Sequence, residues 1–171
     1  DHSDSMGAAA RFGEGDTQWM TAGSGIVHSE MFPLVNRERG NPAELFQIWL
    51  NLPREDKFKD PYFTMLWNET IPRETFRDAE GRGTEVVMVA GALNGRQAPK
   101  PPPNSWAARA ESEVAVWTLK LEPGATWTVP AASSGINRVL YYFSGEPMHI
   151  AGQLVSQGHA IQLRPDAEVP L

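Results

Sequence analysis

Proline and glycine recur along the whole chain and leave few long uninterrupted segments. Fourteen prolines and fifteen glycines are spread over the 171 residues. Proline ends or kinks a helix, and clusters of proline and glycine mark turns. The segments between these residues are too short for a helical bundle but long enough for β-strands. The chain is therefore predicted to be all-β.

A period-two alternation of apolar and polar side chains supports this prediction. Residues 45–52 read Leu-Phe-Gln-Ile-Trp-Leu-Asn-Leu, and successive side chains of a strand point to opposite faces. Phe46, Ile48 and Leu50 would then face a core. Gln47 would lie on the opposite face. Further strands are predicted at residues 25–31, 85–90, 115–121, 139–143, 148–150 and 160–163. Strands of this length and spacing are typical of a sandwich or barrel.

Charge and composition argue against several classes of protein. The formal net charge of -6 and the pI near 5.2 repel a phosphate backbone, so direct nucleic-acid binding is not expected. The sequence has no apolar run of about 18 residues and no basic-then-apolar leader, which predicts a soluble protein of the cytoplasm rather than a membrane protein. Because cysteine is absent, a metal would have to be bound by His, Asp or Glu.

The segment 25–31 contains a histidine and a carboxylate two positions apart. His28 and Glu30 would project from the same face if this segment is a strand. An imidazole nitrogen and a carboxylate oxygen that converge on one point are suitable ligands for a divalent metal. Taken alone, a His-x-Glu pair is more often an ordinary surface or hydrogen-bonded pair. The flanking sequence has to decide between these interpretations.

The sequence around this pair resembles the signature of the pirin family. The run GDTQWMTAGSGIVHSE occupies residues 15–30, and residues 45–53 follow it at the distance expected for the family. Further similarity lies at residues 57–62, 87–91, 121–125 and 141–145. Nearly the whole chain is therefore covered by the resemblance.

The resemblance implies an all-β protein with two tandem cupin domains, each a double-stranded β-helix or jelly roll. We expect the first domain at residues 1–66 and the second at residues 67–171. Both domains are expected to be incomplete at the chain ends, because pirins have further strands on either side. Unpaired strand edges are then expected.

The resemblance also implies a mononuclear metal site in the first domain. Pirins bind one metal through three histidines and one glutamate, and the last two of these ligands match His28 and Glu30. The other two form a His-x-His pair that the 171 residues do not contain. A divalent metal is expected, with iron first and Mn, Ni, Co, Cu or Zn as alternatives. This chain alone is expected to bind it weakly or not at all.

Gln47 and the three other histidines are further polar residues with the chemistry to take part in a site. Gln47 is a candidate to hydrogen-bond a metal-bound ligand, although a role in the core or at a sheet edge is the favoured interpretation. His2 is the candidate for a replacement ligand, but a surface or terminal position is favoured. His149 and His159 are interpreted as structural residues of the second domain.

The activity implied by the resemblance is that of a quercetin 2,3-dioxygenase. In that reaction Glu30 would accept the 3-hydroxyl proton of a flavonol, and dioxygen would open the heterocycle with release of carbon monoxide. His28 would be a structural ligand. The alternative is a non-enzymatic, metal-dependent regulator of transcription factors or metabolic enzymes, a role in which pirins are also described. The expected partners are thus a small aromatic substrate and, in the alternative, a protein.

Overall fold

Regular structure in this chain is almost entirely β-strand. The computed structural model describes residues 1–171. The strands, in chain order, are β1 His2–Asp4, β2 Ala9–Ala10, β3 Thr17–Thr21, β4 His28–Glu30, β5 Tyr62–Leu66, β6 Arg73–Arg77, β7 Gly83–Ala90, β8 Ala92–Leu93, β9 Arg96–Gln97, β10 Val116–Leu121, β11 Thr128–Val129, β12 Arg138–Tyr142, β13 Met148–Ile150, β14 Gln153–Val155, β15 His159–Leu163 and β16 Val169–Pro170. Short 3-10 helices lie at Arg54–Asp56, Trp106–Ala108 and Ala110–Ser112. The prediction of an all-β chain is confirmed.

The chain divides into two compact units that are interleaved in sequence. Unit 1 contains residues 1–72 and 88–117, and unit 2 contains residues 73–87 and 118–171. The domain junction expected after residue 66 stays a prediction.

Unit 1 contains the sheets that carry the candidate site. Strand β1 is the middle strand of a three-stranded sheet with the order β2-β1-β4, and both neighbours run antiparallel to it. Strand β3 pairs with β5 in a separate antiparallel ladder, from Thr17 opposite Leu66 to Thr21 opposite Tyr62. The turn before β3 is closed by a hydrogen bond of 3.0 Å from Asp16 N to the carbonyl oxygen of Gly13.

Unit 2 contains short antiparallel pairs and much of a three-stranded sheet with the order β10-β7-β6. Strand β6 pairs with β7, from Arg73 opposite Val87 to Arg77 opposite Gly83. Strand β12 pairs with β15 over its full length, and β13 pairs with β14 across a tight turn. Strand β11 pairs with β16. Short turns join β6 to β7 and β13 to β14, whereas β12 and β15, and β11 and β16, pair across longer stretches of sequence.

Strand β7 shows the two-residue period most clearly. Thr84, Val86, Met88 and Ala90 alternate along it and are at most 1% exposed. Burial of an aliphatic side chain of the size of Val86 or Met88 contributes about 1.5–3 kcal/mol, which makes this strand a main part of the core. The strand predicted at residues 85–90 is confirmed.

Residues 45–52 do not form the predicted strand. Residues 31–53 contain no strand or helix, and side chains from both faces of the pattern are exposed: Ile48 by 61% and Trp49 by 88%. A period-two pattern shows where a strand can form, but a strand also needs a hydrogen-bonded neighbour. No strand of this chain pairs with the segment, so the prediction is wrong here.

Candidate metal centre

Strands β1 and β4 bring four side chains with metal-binding groups to one face of unit 1. Their antiparallel register pairs His2 with Glu30 and Asp4 with His28. Directly opposed residues of two strands share a face, and so do residues two apart on one strand. All four side chains therefore lie on the same face, although His2 and Glu30 are 28 positions apart in sequence.

His2 occupies the middle of this cluster and is 2% exposed. Its Nδ1 lies 3.0 Å from Glu30 Oε1, and its Nε2 lies 3.1 Å from Asp4 Oδ2. Its ring stacks on Phe63, with 4.4 Å between the centroids and 11° between the planes. Ionised carboxylates only accept hydrogen bonds, so both ring nitrogens donate. His2 is therefore buried, whereas the sequence favoured a surface or terminal position, and neither nitrogen is available to a metal in this arrangement.

One carboxylate oxygen of Glu30, Oε1, accepts two hydrogen bonds. Gln18 Nε2 donates to Oε1 at 2.7 Å, in addition to His2 Nδ1 at 3.0 Å. Burial acts to raise the pKa of Glu30, but the hydrogen bonds from Gln18 and His2 outweigh it and lower that pKa below its ordinary value. The carboxylate is thus ionised at neutral pH, and its second oxygen, Oε2, is open.

The pKa values of His2 and Asp4 shift in opposite directions. Burial acts to lower the pKa of His2, but the hydrogen bonds to Glu30 and Asp4 outweigh it and raise that pKa above 6.5. The hydrogen bond from His2 lowers the pKa of Asp4 against the opposing effect of burial. Backbone N–H groups of Ala8 and Met6 reinforce this by donating to Asp4 Oδ1 at 3.0 and 2.9 Å. An imidazolium is therefore held between two carboxylates.

His28 lies on the exposed side of the cluster. Its ring centroid is 5.6 Å from that of His2. The connection from β3 to β4 passes close to the loop before β5, where Ser24 N donates to Lys59 O at 2.8 Å. Gly23 has φ +52°, and a Cβ at this position would lie 2.0 Å from Lys59 O. Glycine is required there because of the positive φ and the close approach to Lys59 O.

These donors fit part of a metal shell. No group of three or more His, Cys, Asp or Glu side chains is arranged to hold a metal ion by itself. His28 and Glu30 Oε2 supply one imidazole and one carboxylate, which are donor types that first-row divalent metals accept. Gln18 Oε1 is buried without a hydrogen-bond partner, so a hydroxyl or water bound beside Glu30 has an acceptor. The donor pair and this orphaned acceptor fit a metal with a bound oxygen ligand.

The other predicted residues do not join these hydrogen bonds. Gln47 lies in the exposed segment without strands, and its role toward a metal-bound ligand stays a prediction. His149 and His159 are exposed in unit 2, where His159 Nδ1 lies 2.8 Å from Ser156 O. Asp4 is not among the residues predicted from the sequence, although it stands two positions from His2, the same spacing that marked His28 and Glu30.

Comparisons with known proteins agree on a family. Residues 1–50 match the family model described as Pirin. A Pseudomonas aeruginosa protein named "Putative quercetin 2,3-dioxygenase" is 39% identical over 124 residues, which are 72% of this chain and 40% of that protein. Pirin of Mus musculus is 30% identical over 175 residues, covering 95% of this chain and 53% of the mouse protein. Pirin-1 of Arabidopsis thaliana is 40% identical over 98 residues, 57% of this chain and 30% of that protein. The chain thus spans at most about half the length of these relatives.

A solved structure shows the fold. The crystal structure of quercetin 2,3-dioxygenase from Acinetobacter baumannii superposes with a TM-score of 0.70 at 22% identity, over 99% of this chain and 55% of that one. This likeness confirms the cupin jelly-roll fold. No helix of the chain is both long and apolar enough to cross a lipid bilayer. With the sequence match, the relatives and the fold in agreement, the chain belongs to the pirin family of cupin proteins.

Proposed function

We propose that this chain contributes His28 and Glu30 to the mononuclear metal site of a pirin-like dioxygenase that opens the ring of a flavonol. One observation carries the proposal. Glu30 has Oε1 held by two donors and Oε2 open, on the same face as the exposed ring of His28. The names of the Pseudomonas and Acinetobacter proteins supply the reaction class.

Iron is the metal we expect, with Mn, Ni, Co, Cu or Zn as alternatives. When bound, such a metal would supply Lewis acidity and, for iron, redox chemistry with dioxygen. His28 would hold it through a ring nitrogen and Glu30 through Oε2. This chain supplies only these two donors of the proposed shell, so tight binding requires further ligands from outside the cluster.

Glu30 would also receive the 3-hydroxyl proton of the flavonol. Its lowered pKa keeps the carboxylate ionised and ready to accept, but it also makes Glu30 a weak base. The transfer therefore requires a flavonol hydroxyl whose own pKa is lowered in the site. Gln18 Oε1, buried and without a partner, would accept a hydrogen bond from a bound hydroxyl group. The overall reaction consumes one dioxygen per flavonol and yields carbon monoxide and a ring-opened phenolic ester.

A concavity of about 380 Å³ lies beside β1. Its volume falls in the range of small-molecule pockets, roughly 300–1,000 Å³. Residues of β1, β2 and their neighbours line it: Asp1, His2, Ser3, Ala9, Ala10, Arg11 and Met31. Neither His28 nor Glu30 lines this concavity, so the proposal does not rest on it.

The test is oxygen uptake and carbon monoxide release with a panel of flavonols, measured on metal-loaded protein. It should be done with this chain and with any longer polypeptide in which the chain occurs. Glu30→Gln should lower flavonol-dependent uptake by roughly 10²–10⁴-fold, the range for loss of a proton acceptor. The matched control is His149→Gln, which alters an exposed histidine of unit 2 and should leave uptake unchanged.

Metal binding without oxygen uptake on any flavonol would contradict the dioxygenase and favour the regulator that binds a protein partner. A cytoplasmic location remains part of the proposal, and cell fractionation tests it.

A further inference from the structure

Asp4, His2 and Glu30 form a continuous line of hydrogen bonds in unit 1. Nε2 of His2 donates to Asp4 and Nδ1 donates to Glu30, at 3.1 and 3.0 Å. Asp4 in turn accepts from the backbone N–H groups of Met6 and Ala8, which belong to the turn that follows β1. The line therefore ties the carboxylate of Glu30 to fixed backbone.

The ring of His2 has little freedom to move. Its side chain is fully buried, Phe63 stacks on one side, and His28 lies 5.6 Å away between ring centroids. A rotation of the ring would break two hydrogen bonds to charged groups and leave two buried polar groups without partners. His2 is thus a rigid donor to one particular oxygen of Glu30.

Gln18 reaches the same oxygen from β3. Its Nε2 donates to Glu30 Oε1 at 2.7 Å. Two donors from different sheets therefore occupy Oε1, and neither contacts Oε2. A carboxylate held in this way can bind a cation through only one oxygen.

We propose that His2 is a positioning residue, which together with Gln18 fixes Glu30 through Oε1 so that Oε2 alone is presented to the metal. The inference rests on the proposed metal site and adds residues that support its ligand. Asp4 orients His2 by accepting from Nε2, and it takes no part in binding the metal.

The structure allows two matched variants of His2. Asparagine places its side-chain nitrogen near the position of Nδ1, whereas glutamine places its nitrogen near the position of Nε2. His2→Asn should therefore keep the donor to Glu30 and lose the donor to Asp4. His2→Gln should keep the donor to Asp4 and lose the donor to Glu30.

Addition of Mn²⁺ to the isotopically labelled chain, followed by NMR, measures binding at β4 separately from other sites. Paramagnetic broadening of the amide signals of His28 and Glu30 gives the affinity there, even when binding is weak. His2→Gln should weaken this affinity by roughly 10- to 100-fold, the usual effect of losing a support to a ligand. His2→Asn should keep most of it. Without metal, the free energy of unfolding should fall by similar amounts in both variants, because each loses one hydrogen bond.

Each outcome decides a different claim. Equal Mn²⁺ affinities at β4 for the two variants would overturn the positioning role and leave the metal site standing. The absence of broadening at β4 both in the unaltered chain and in any longer polypeptide that contains it would overturn the metal site and this inference together. His159→Gln, far along the sequence and exposed in unit 2, should not change the response at β4. If the His2 variants do not fold, Gln18→Met removes the other donor, and an unchanged affinity would overturn the proposal.

Discussion

Nδ1 of His2 lies 3.0 Å from Oε1 of Glu30, and these two residues also face each other across the ladder of β1 and β4. The hydrogen bond and the strand pairing therefore depend on each other. The site consequently forms only when β1 and β4 pair. Its integrity can be measured through the free energy of unfolding as well as through metal binding.

Replacement of Glu30 by leucine should destabilise the metal-free chain. The change leaves the buried Nδ1 of His2 and Nε2 of Gln18 without their acceptor, and a buried unsatisfied donor costs about 1–3 kcal/mol. Urea unfolding measures the loss. Glu38→Leu, at an exposed residue outside any strand, is the control and should change the free energy of unfolding by less than about 0.5 kcal/mol. Equal effects of the two changes would contradict the hydrogen-bonded role of Glu30.

The pH dependence of stability should reflect Asp78 in unit 2. Burial acts to raise the pKa of Asp78, but hydrogen bonds from Arg82 and from Thr126 N outweigh it and lower that pKa below 3.8. A carboxylate whose pKa is lower in the folded state contributes stability above its unfolded pKa and loses it as the pH falls through the folded value. The thermal midpoints of the unaltered chain and Asp78→Asn should therefore differ at neutral pH and converge below pH 3.8.

A difference that stays constant from neutral pH to acid would contradict this account of Asp78. Asp166→Asn is the control, because Asp166 is 52% exposed and its nearest contact with Arg164 is 3.4 Å. Exposed ion pairs contribute little, so this variant should follow the unaltered chain throughout.

Arg138 should be much more sensitive to substitution than the exposed Arg164. Its Nη1 donates to the carbonyl oxygens of Arg164, Pro165 and Ala167 at 2.9–3.0 Å, and its Nη2 donates to Pro130 O at 2.7 Å. Lysine cannot reproduce this planar arrangement, so Arg138→Lys should cost about 1–3 kcal/mol in urea unfolding. Arg164→Lys, at a side chain that is 80% exposed, should cost less than about 0.5 kcal/mol. A comparable cost for both would show that the carbonyl contacts do not matter.

Alanine substitutions at Gly23 and Gly7 distinguish the cost of backbone strain from the cost of a steric clash. Both have positive φ, +52° and +87°, but a Cβ at Gly23 would meet Lys59 O at 2.0 Å, whereas a Cβ at Gly7 would meet nothing within 4 Å. Gly7→Ala should cost about 1–2 kcal/mol for the left-handed conformation. Gly23→Ala should cost clearly more and should also shift the NMR signals of His28. Equal costs would mean that the Lys59 loop moves aside freely.

The fold class followed from turns and alternation because both are local properties of the sequence. The strands predicted at residues 85–90 and 148–150 were found, since their side chains alternate within a few positions. Strand β6, Arg73–Arg77, was missed because its sequence is mostly polar and charged. It forms because β7 provides a buried hydrogen-bonded neighbour.

The candidate site was only partly visible in the sequence. The shared face of His28 and Glu30 follows from the period of a strand, and their metal-binding role stays a prediction. The burial of His2 could not be read from its position near the chain start, because it depends on Phe63, 61 positions away, and on Glu30. The prediction of a strand around Trp49 was wrong for the opposite reason. The segment has a good strand pattern, but no neighbouring strand pairs with it and its side chains are exposed.

The most direct test of the central claim is a crystal structure of the chain, or of any longer polypeptide that contains it, grown with Zn²⁺ and measured at the zinc absorption edge. We expect an anomalous peak about 2.0–2.2 Å from a ring nitrogen of His28 and from Oε2 of Glu30, with Oε1 still hydrogen-bonded to His2 and Gln18. Zinc bound at other histidines, with no peak between His28 and Glu30, would contradict it.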